Sequence, residues 1–286
     1  MQSRLVPSIV SVLALAGLSL WPQQWIADFA STNRGRSIVA SDHLLHASIG
    51  RLIGPRICTG ALVLHPRIVV TAAHCLLETD GSVTKKSVSF QLGHDSVGAP
   101  LIFQGRVERV GSVRQNGDRT VRDEAMDWGI VVLDEAPANV RPLLLKSVSE
   151  TAAALLAKRI SLPAFSIDVA AGRAMTVDQG ASILAVRWGV FLHDSGRALG
   201  SSGAPLLVDT GEGLAVIGIN TACIYETRPH KGGQIEMLHV AVRASSFEAA
   251  VRAVRARLPP PISTVVAVPP PATVQPRPVL ARDPSF

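Results

Sequence analysis

The sequence predicts an all-β fold with one helix closing its ordered part. Two observations carry this. From about residue 45 to 135, and again from about 161 to 242, short apolar, β-branched runs alternate with Gly, Pro and polar turns, the pattern of a β-sandwich or barrel. From Ser245 onward the period changes: Phe247, Val251, Val254 and Leu258 recur at helical spacing, and Pro259-Pro260-Pro261 ends the run.

The elements follow in order. Residues 1–30 read as targeting: Arg4 precedes the uncharged stretch Leu5–Leu20, which leads into Trp21-Pro22. That stretch is shorter than the roughly 20 residues a spanning helix needs and suits a signal-peptide core. Cleavage is expected after Ala14-Leu15-Ala16 or after Ala27-Asp28-Phe29-Ala30; the alternative is an uncleaved anchor with Trp21 and Trp25 at a membrane interface. Candidate strands are Ser48–Ile53, Thr59–Leu64, Arg67–Thr71, Ser87–Leu92, Leu101–Gly111 and Ile130–Leu133. Residues 151–158 have helical propensity. Ser182–Leu192, Ala204–Val208 and Leu214–Asn220 are the clearest strands of the second block. In the terminal helix, Ser245 with Glu248 reads as a capping box, and Arg252, Arg255 and Arg257 fall on the solvent side. Residues 259–286 hold nine of the nineteen prolines and read as an extended or disordered tail.

Composition narrows the function classes. Hydrophobic content of 47% with 17% charged residues describes a chain with ample core and excludes a disordered polyelectrolyte. The net charge of +6 is spread over 28 scattered Lys and Arg residues. Without a run of like charge, this is a solubility feature, compatible with an anionic envelope surface, and not a nucleic-acid footprint. No internal repeat and no Gly-rich phosphate loop is visible, so no cofactor is expected. Three cysteines fit an exported chain with one disulfide and one odd thiol. A Cys58–Cys75 bridge would close a short loop, a contribution of about 3 kcal/mol; Cys223 is then left over as a small buried hydrophobe.

Three segments carry chemistry. Hydrolysis by a hydroxyl nucleophile needs a base for its proton, an acid to orient that base, and backbone donors for the oxyanion. His74 lies in Val69-Val70-Thr71-Ala72-Ala73-His74-Cys75, where an apolar strand runs into small residues that leave the imidazole room to turn. Asp127 opens the buried strand Asp127-Trp128-Gly129-Ile130-Val131-Val132-Leu133, whereas its competitors Asp123 and Asp134 lie in a charged stretch and after the strand. Ser202 lies in Gly200-Ser201-Ser202-Gly203-Ala204-Pro205-Leu206, where flanking glycines permit a tight turn and the amides of Gly200 and Ser202 can converge.

These strings, in the order His, Asp, Ser, resemble the motifs of trypsin-like serine peptidases, and the order differs from that of α/β-hydrolases. The resemblance spans about residues 38–258. It implies two six-stranded antiparallel β-barrels (roughly 38–150 and 160–244) with a C-terminal helix over 245–258, a site in the cleft between them, and the triad His74, Asp127, Ser202. Cys58 stands where the family places the partner of Cys75. Gly218-Ile219-Asn220-Thr221 looks like one wall of the primary specificity pocket. The implied activity is peptide-bond hydrolysis through an acyl-enzyme, on protein or peptide substrates, by a protein secreted or periplasmic, or else anchored facing the extracytoplasmic side. A non-catalytic binding protein on a protease scaffold is the alternative.

The departures narrow the subtype. Animal trypsins carry an Asp just before the nucleophile, which accepts the N-terminus freed on activation; this chain has Ser201 there. Cleavage near Arg36 to free Ile38 would therefore find no acceptor. The stretch before Gly200 lacks a Cys to pair with Cys223. In both respects the chain is more similar to bacterial glutamyl-endopeptidase-like members. Family spacing puts Gly196 and Arg197 near the pocket floor, with Asn220 and Thr221 on its wall, where glutamyl endopeptidases use a His in place of Asn220. An Arg there favours an acidic, or at least non-basic, residue before the scissile bond. Of the remaining histidines only His43 and His46 have ligand-like spacing, and two ligands make no zinc site. They read as surface-loop residues, and no metal is expected.

Overall fold

The computed structural model describes residues 36–40, 43–93, 99–112, 121–138, 140–195, 199–228 and 234–261. The signal segment 1–30, the tail beyond residue 261, and Gly196 and Arg197 lie outside the described residues.

A short strand β1 (Arg36–Ile38) precedes six strands: β2 (Ile49–Ile53), β3 (Ile57–Leu62), β4 (Ile68–Thr71), β5 (Val88–Leu92), β6 (Leu101–Val110) and β7 (Gly129–Leu133). These six close into a barrel in the order β2-β3-β4-β7-β6-β5. Alternation sets the faces. Val88, Phe90 and Leu92 of β5 point inward with Leu52, Leu62, Val69, Val131 and Leu133, while Ser89 and Gln91 are half-buried. The helical turn α1 (Val121–Glu124) leads into β7.

β4 explains why Ile68–Thr71 reads as an unbroken apolar run. Its residues are buried on both faces: Val69 enters the barrel core, whereas Ile68 and Val70, with Ile130 of β7, face the second half of the molecule. There they meet Leu207, Val216, Ile219 and Val242, and the side chains of Phe247, Val251 and Val254. Each such fully buried aliphatic stabilises the seam by about 1.5–3 kcal/mol relative to exposure.

The second half comprises β8 (Leu144–Leu145), the helical turn α2 (Glu150–Ala154), and strands β9 (Ile160–Ala164), β10 (Thr176–Ala181), β11 (Ile183–Arg187), β12 (Val190–His193), β13 (Pro205–Asp209), β14 (Leu214–Arg228) and β15 (Gln234–Arg243). With β1 they form a nine-stranded sheet ordered β1-β10-β9-β13-β14-β15-β12-β11, β8 pairing with β14. The backbone ladder is not ring-closed among the described residues. The sheet nevertheless curls on itself, because Ile160 of β9 and Ile183 of β11, far apart in strand order, share one core with Phe191, Leu206, Ile217 and Ala241.

Two expectations need correction. The run Ser182–Leu192 is a hairpin, not one strand: Trp188 (φ 48°) and Gly189 (φ 84°) make the two-residue turn between β11 and β12. The capping box at Ser245 does not form. The last helix α3 (Glu248–Arg257) follows a short 3-10 turn, its N-cap is Phe247, and it has no side-chain cap. Glu248 instead accepts from Ser147 Oγ and pairs with Arg252 at 2.6 Å. Arg252, Arg255 and Arg257 are exposed, on the face expected for them.

Candidate active site

His74 sits on a 3-10 turn (Ala73–Leu76) directly after β4, and the turn is tied to β3 by the Cys58–Cys75 disulfide. Ala72 and Ala73 are fully buried against the barrel, so the half-buried imidazole is the group that turns outward. Asp127 is the last residue but one before β7, with 0% exposure. Its Oδ2 lies 2.7 Å from His74 Nδ1, and its Oδ1 accepts the His74 backbone N–H at 2.9 Å. An ionised carboxylate only accepts, so Nδ1 carries the proton and Nε2 is left as the basic nitrogen. Asp123 is half-buried and Asp134 exposed; neither has this geometry. The sulfurs of Cys58 and Cys75 and a ring nitrogen of His74 lie within 4.8 Å of one another. The cysteines are bridged, so this grouping offers no thiolate to a metal.

The loop 199–204 brings Ser202 to the same place from the other half. Gly200 and Gly203 both have positive φ, 95° and 80°, as a tight turn demands. A Cβ on Gly203 would stand 2.2 Å from both Thr59 O and Thr71 Oγ1 and 3.1 Å from Ala72 N. The loop backbone therefore presses against the strand end that leads to His74. Ser202 is half-buried and Ser201 buried. Thr59 N–H donates to Ser202 O at 2.8 Å, Thr59 Oγ1 donates to Gly200 O at 3.0 Å, and that same hydroxyl accepts from Phe165 N–H at 3.0 Å.

Thr59 is the residue that reading the sequence missed. It fastens the first barrel to the loop 199–204, and its only trace in the sequence is a hydroxyl beside Cys58 in an otherwise apolar strand. Asn220 fastens the loop from the opposite side. It is 0% exposed and its Nδ2 donates to Ser201 O at 3.0 Å and Ser201 Oγ at 3.3 Å, while Gly203 N–H donates to Asn220 O at 2.7 Å.

The fold is that of the trypsin-like serine peptidases. The chain is similar to a solved Glu endopeptidase in complex with MPD, with a TM-score of 0.55 and 19% identity over 78% of this chain and 97% of that one. It is also similar to the secreted serine protease VesC from Vibrio cholerae, with a TM-score of 0.54 and 15% identity over 76% of this chain and 47% of that one. No family model and no curated protein matches the chain.

Within this trypsin-like fold, Thr221 is 5% exposed in the bulge of β14, its Oγ1 donating to Val240 O at 3.4 Å. Cys223 is an unbridged, half-buried thiol on the same strand. Ile38 is 68% exposed on β1, which pairs with β10, and Arg36 is bound to Asp168. Of the histidines read as surface residues, four are buried: His193 at 0% and His239 at 3% exposure on adjacent strands, His46 at 5%, edge-on to Phe165, and His65 at 4%, its Nε2 3.0 Å from Pro259 O. For His46 the Phe165 ring covers the imidazole, and for His65 both ring nitrogens are bonded to backbone, at Pro259 O and Arg67 N. No helix among the described residues is long and apolar enough to cross a membrane.

Proposed function

We propose that this chain is a serine endopeptidase that cleaves protein or peptide substrates through a His74–Asp127–Ser202 triad. The observation that carries the reading is the doubly hydrogen-bonded His74–Asp127 pair, whose carboxylate is wholly buried, beside a glycine-flanked serine loop docked on the strand that leads to His74. The chemistry follows from these groups. His74 Nε2 takes the Ser202 Oγ proton as Oγ adds to the scissile carbonyl, and Asp127 stabilises the imidazolium that forms. The Gly200 and Ser202 amides hold the oxyanion. Collapse passes the proton from His74 to the departing amine and leaves an acyl ester on Ser202. Water, deprotonated by the same Nε2, then releases the acid and restores Oγ–H. No cofactor or metal enters these steps.

The domain reading accompanies this: a signal peptide or anchor over 1–30, a peptidase domain over 31–258 and a proline-rich tail over 259–286, in a secreted or periplasmic protein. The disulfide supports an oxidising compartment. An acidic or non-basic preference at the residue before the scissile bond rests on Arg197, since the Asn220 amide is bonded to Ser201. Fluorophosphonate labelling at neutral pH tests the activity. Wild type is expected to label and Ser202→Ala not to label, with turnover in Ser202→Ala lower by about 10^4 or more. Labelling that persists in Ser202→Ala removes the nucleophile. A folded wild type that does not label makes the chain a binding protein on a protease scaffold.

A further inference from the structure

The first barrel has two ends, and the candidate site uses one of them. His74 follows the C-terminal end of β4, and Asp127 precedes the N-terminal end of β7. Register gathers the start of β2, the β3–β4 turn, the end of β5, the start of β6 and the end of β7 at the opposite end. A groove of about 290 Å³ opens there beside the 3-10 turn Leu44–Ala47. Its walls include Leu44, Leu92, Leu101 and Val140, and the imidazoles of His43 and His46 supply its polar side chains; among the described residues no Asp, Glu, Lys or Arg lines it. Leu44 and Leu101 are 80% and 63% exposed. Isolated exposed apolar side chains are ordinary, but grouped around a groove they mark a surface that binds something.

The path of the chain beyond α3 points to the occupant. The Pro259 carbonyl is held by His65 in the β3–β4 turn, at this same end of the barrel. Leu64 of that turn donates its N–H to Leu143 O at 3.0 Å, and Val63 bridges to Leu143. Val140 on the groove wall stands three residues before Leu143, a separation of about 10 Å at most. The C-terminal tail therefore starts one short loop away from the groove. Its composition matches the lining: no charged residue occurs between Leu258 and Arg277, and residues 262–268 read Ile-Ser-Thr-Val-Val-Ala-Val. Seven residues reach up to about 23 Å. A short tether also gives the segment an effective concentration of about millimolar, so a modest apolar contact is enough where a free partner would need a tighter one. The N-terminal segment is the rival occupant. Arg36 is bound to Asp168 and β1 pairs with β10, however, so that segment joins the protein on its second half.

We propose that residues 262–268 of the C-terminal tail dock in this groove, with Ile262 and the valines covering Leu44 and Leu101. The contact is intramolecular. It lies at the barrel end away from His74 and does not depend on the peptidase reading.

A nitroxide label tests it. The label is placed at Ala267→Cys in the full chain, with Cys223→Ser removing the unbridged thiol and Ser202→Ala guarding against self-cleavage. It is expected to broaden away most of the methyl signal of Leu44, Leu92 and Leu101, while Leu184 of β11 keeps its own. Leu44 is so exposed that Leu44→Asp should fold normally, and this substitution is expected to restore the Leu101 signal. Groove methyls broadened no more than Leu184 overturn the proposal. Broadening that fades on dilution also overturns it, by giving the groove to a second copy, as does broadening that survives Leu44→Asp. A second measurement needs no label. Removing residues 262–286 is expected to shift the Leu44, Leu92 and Leu101 methyl resonances and leave Leu184 in place; unshifted groove methyls contradict the docking.

Discussion

The two halves of the molecule hold their parts of the site by different means. The first barrel is hydrogen-bonded all the way round, and its contributions to the site are anchored redundantly: Asp127 by burial and two bonds to His74, and the His74 turn by a disulfide. The second half curls around its core without ring closure among the described residues and presents Ser202 on a loop. That loop is fixed from outside itself, by Thr59 across the seam and by Asn220 beneath it. His74 and Asp127 are thus built into a finished scaffold, whereas Ser202, the proposed nucleophile, takes its position from docking the two halves. The proposed site is therefore assembled at the seam between the halves.

Three substitutions break or sharpen that contrast. The largest effect is expected for Asp127→Asn, which leaves the barrel intact but lets the wrong His74 tautomer form. Turnover in a steady-state peptide assay should fall by about 10^4, with the unfolding midpoint changed far less. An activity near wild type would show that the buried pair is only structural. Thr59→Val comes next. It leaves the Gly200 carbonyl and the Phe165 N–H without the hydroxyl they share, a cost of about 1–3 kcal/mol in urea unfolding, and slower fluorophosphonate labelling of Ser202. Stability loss without slower labelling would separate seam packing from loop placement.

The smallest effect is expected at Glu248. Burial raises its pKa, but the Ser147 hydroxyl and Arg252 more than offset this and hold the carboxyl below the ordinary range. A depressed folded pKa stabilises above the unfolded value of about 4.3 and loses that contribution as pH falls through the folded value. Glu248→Gln should therefore cost less than about 1 kcal/mol at pH 7, with the difference from wild type in thermal melts vanishing once pH has fallen through the depressed folded value. A difference that grows on acidification contradicts the pairing.

Much of the first barrel was legible from the sequence because its strands are short, apolar and clearly punctuated. The expected Ser87–Leu92 and Leu101–Gly111 stand within a residue of β5 and β6. The second half was less legible. β10 is Thr-Val-Asp-Gln-Gly-Ala and β9 contains Pro163, compositions that lack strand propensity and become strands by pairing. The hairpin turn escaped notice because Trp188 takes a left-handed conformation that its identity does not announce. At the site, the strings around His74, Asp127 and Ser202 were legible because each concentrates unusual residue types in one short segment. The Thr59 clamp and the His193–His239 pair were not, since their partners are far away in sequence and meet only through strand register.

The sequence by itself determined the all-β character, the closing helix, the candidate triad in its order and the Cys58–Cys75 pairing. Local composition and short motifs encode these directly. Tertiary structure alone decided that Asp127 is buried against His74, that Asn220 holds Ser201, and that His193 and His239 meet across β12 and β15. Each of these depends on which strand lies beside which, and on which face a side chain projects from. A shift of one residue in register would send His239 to the opposite face.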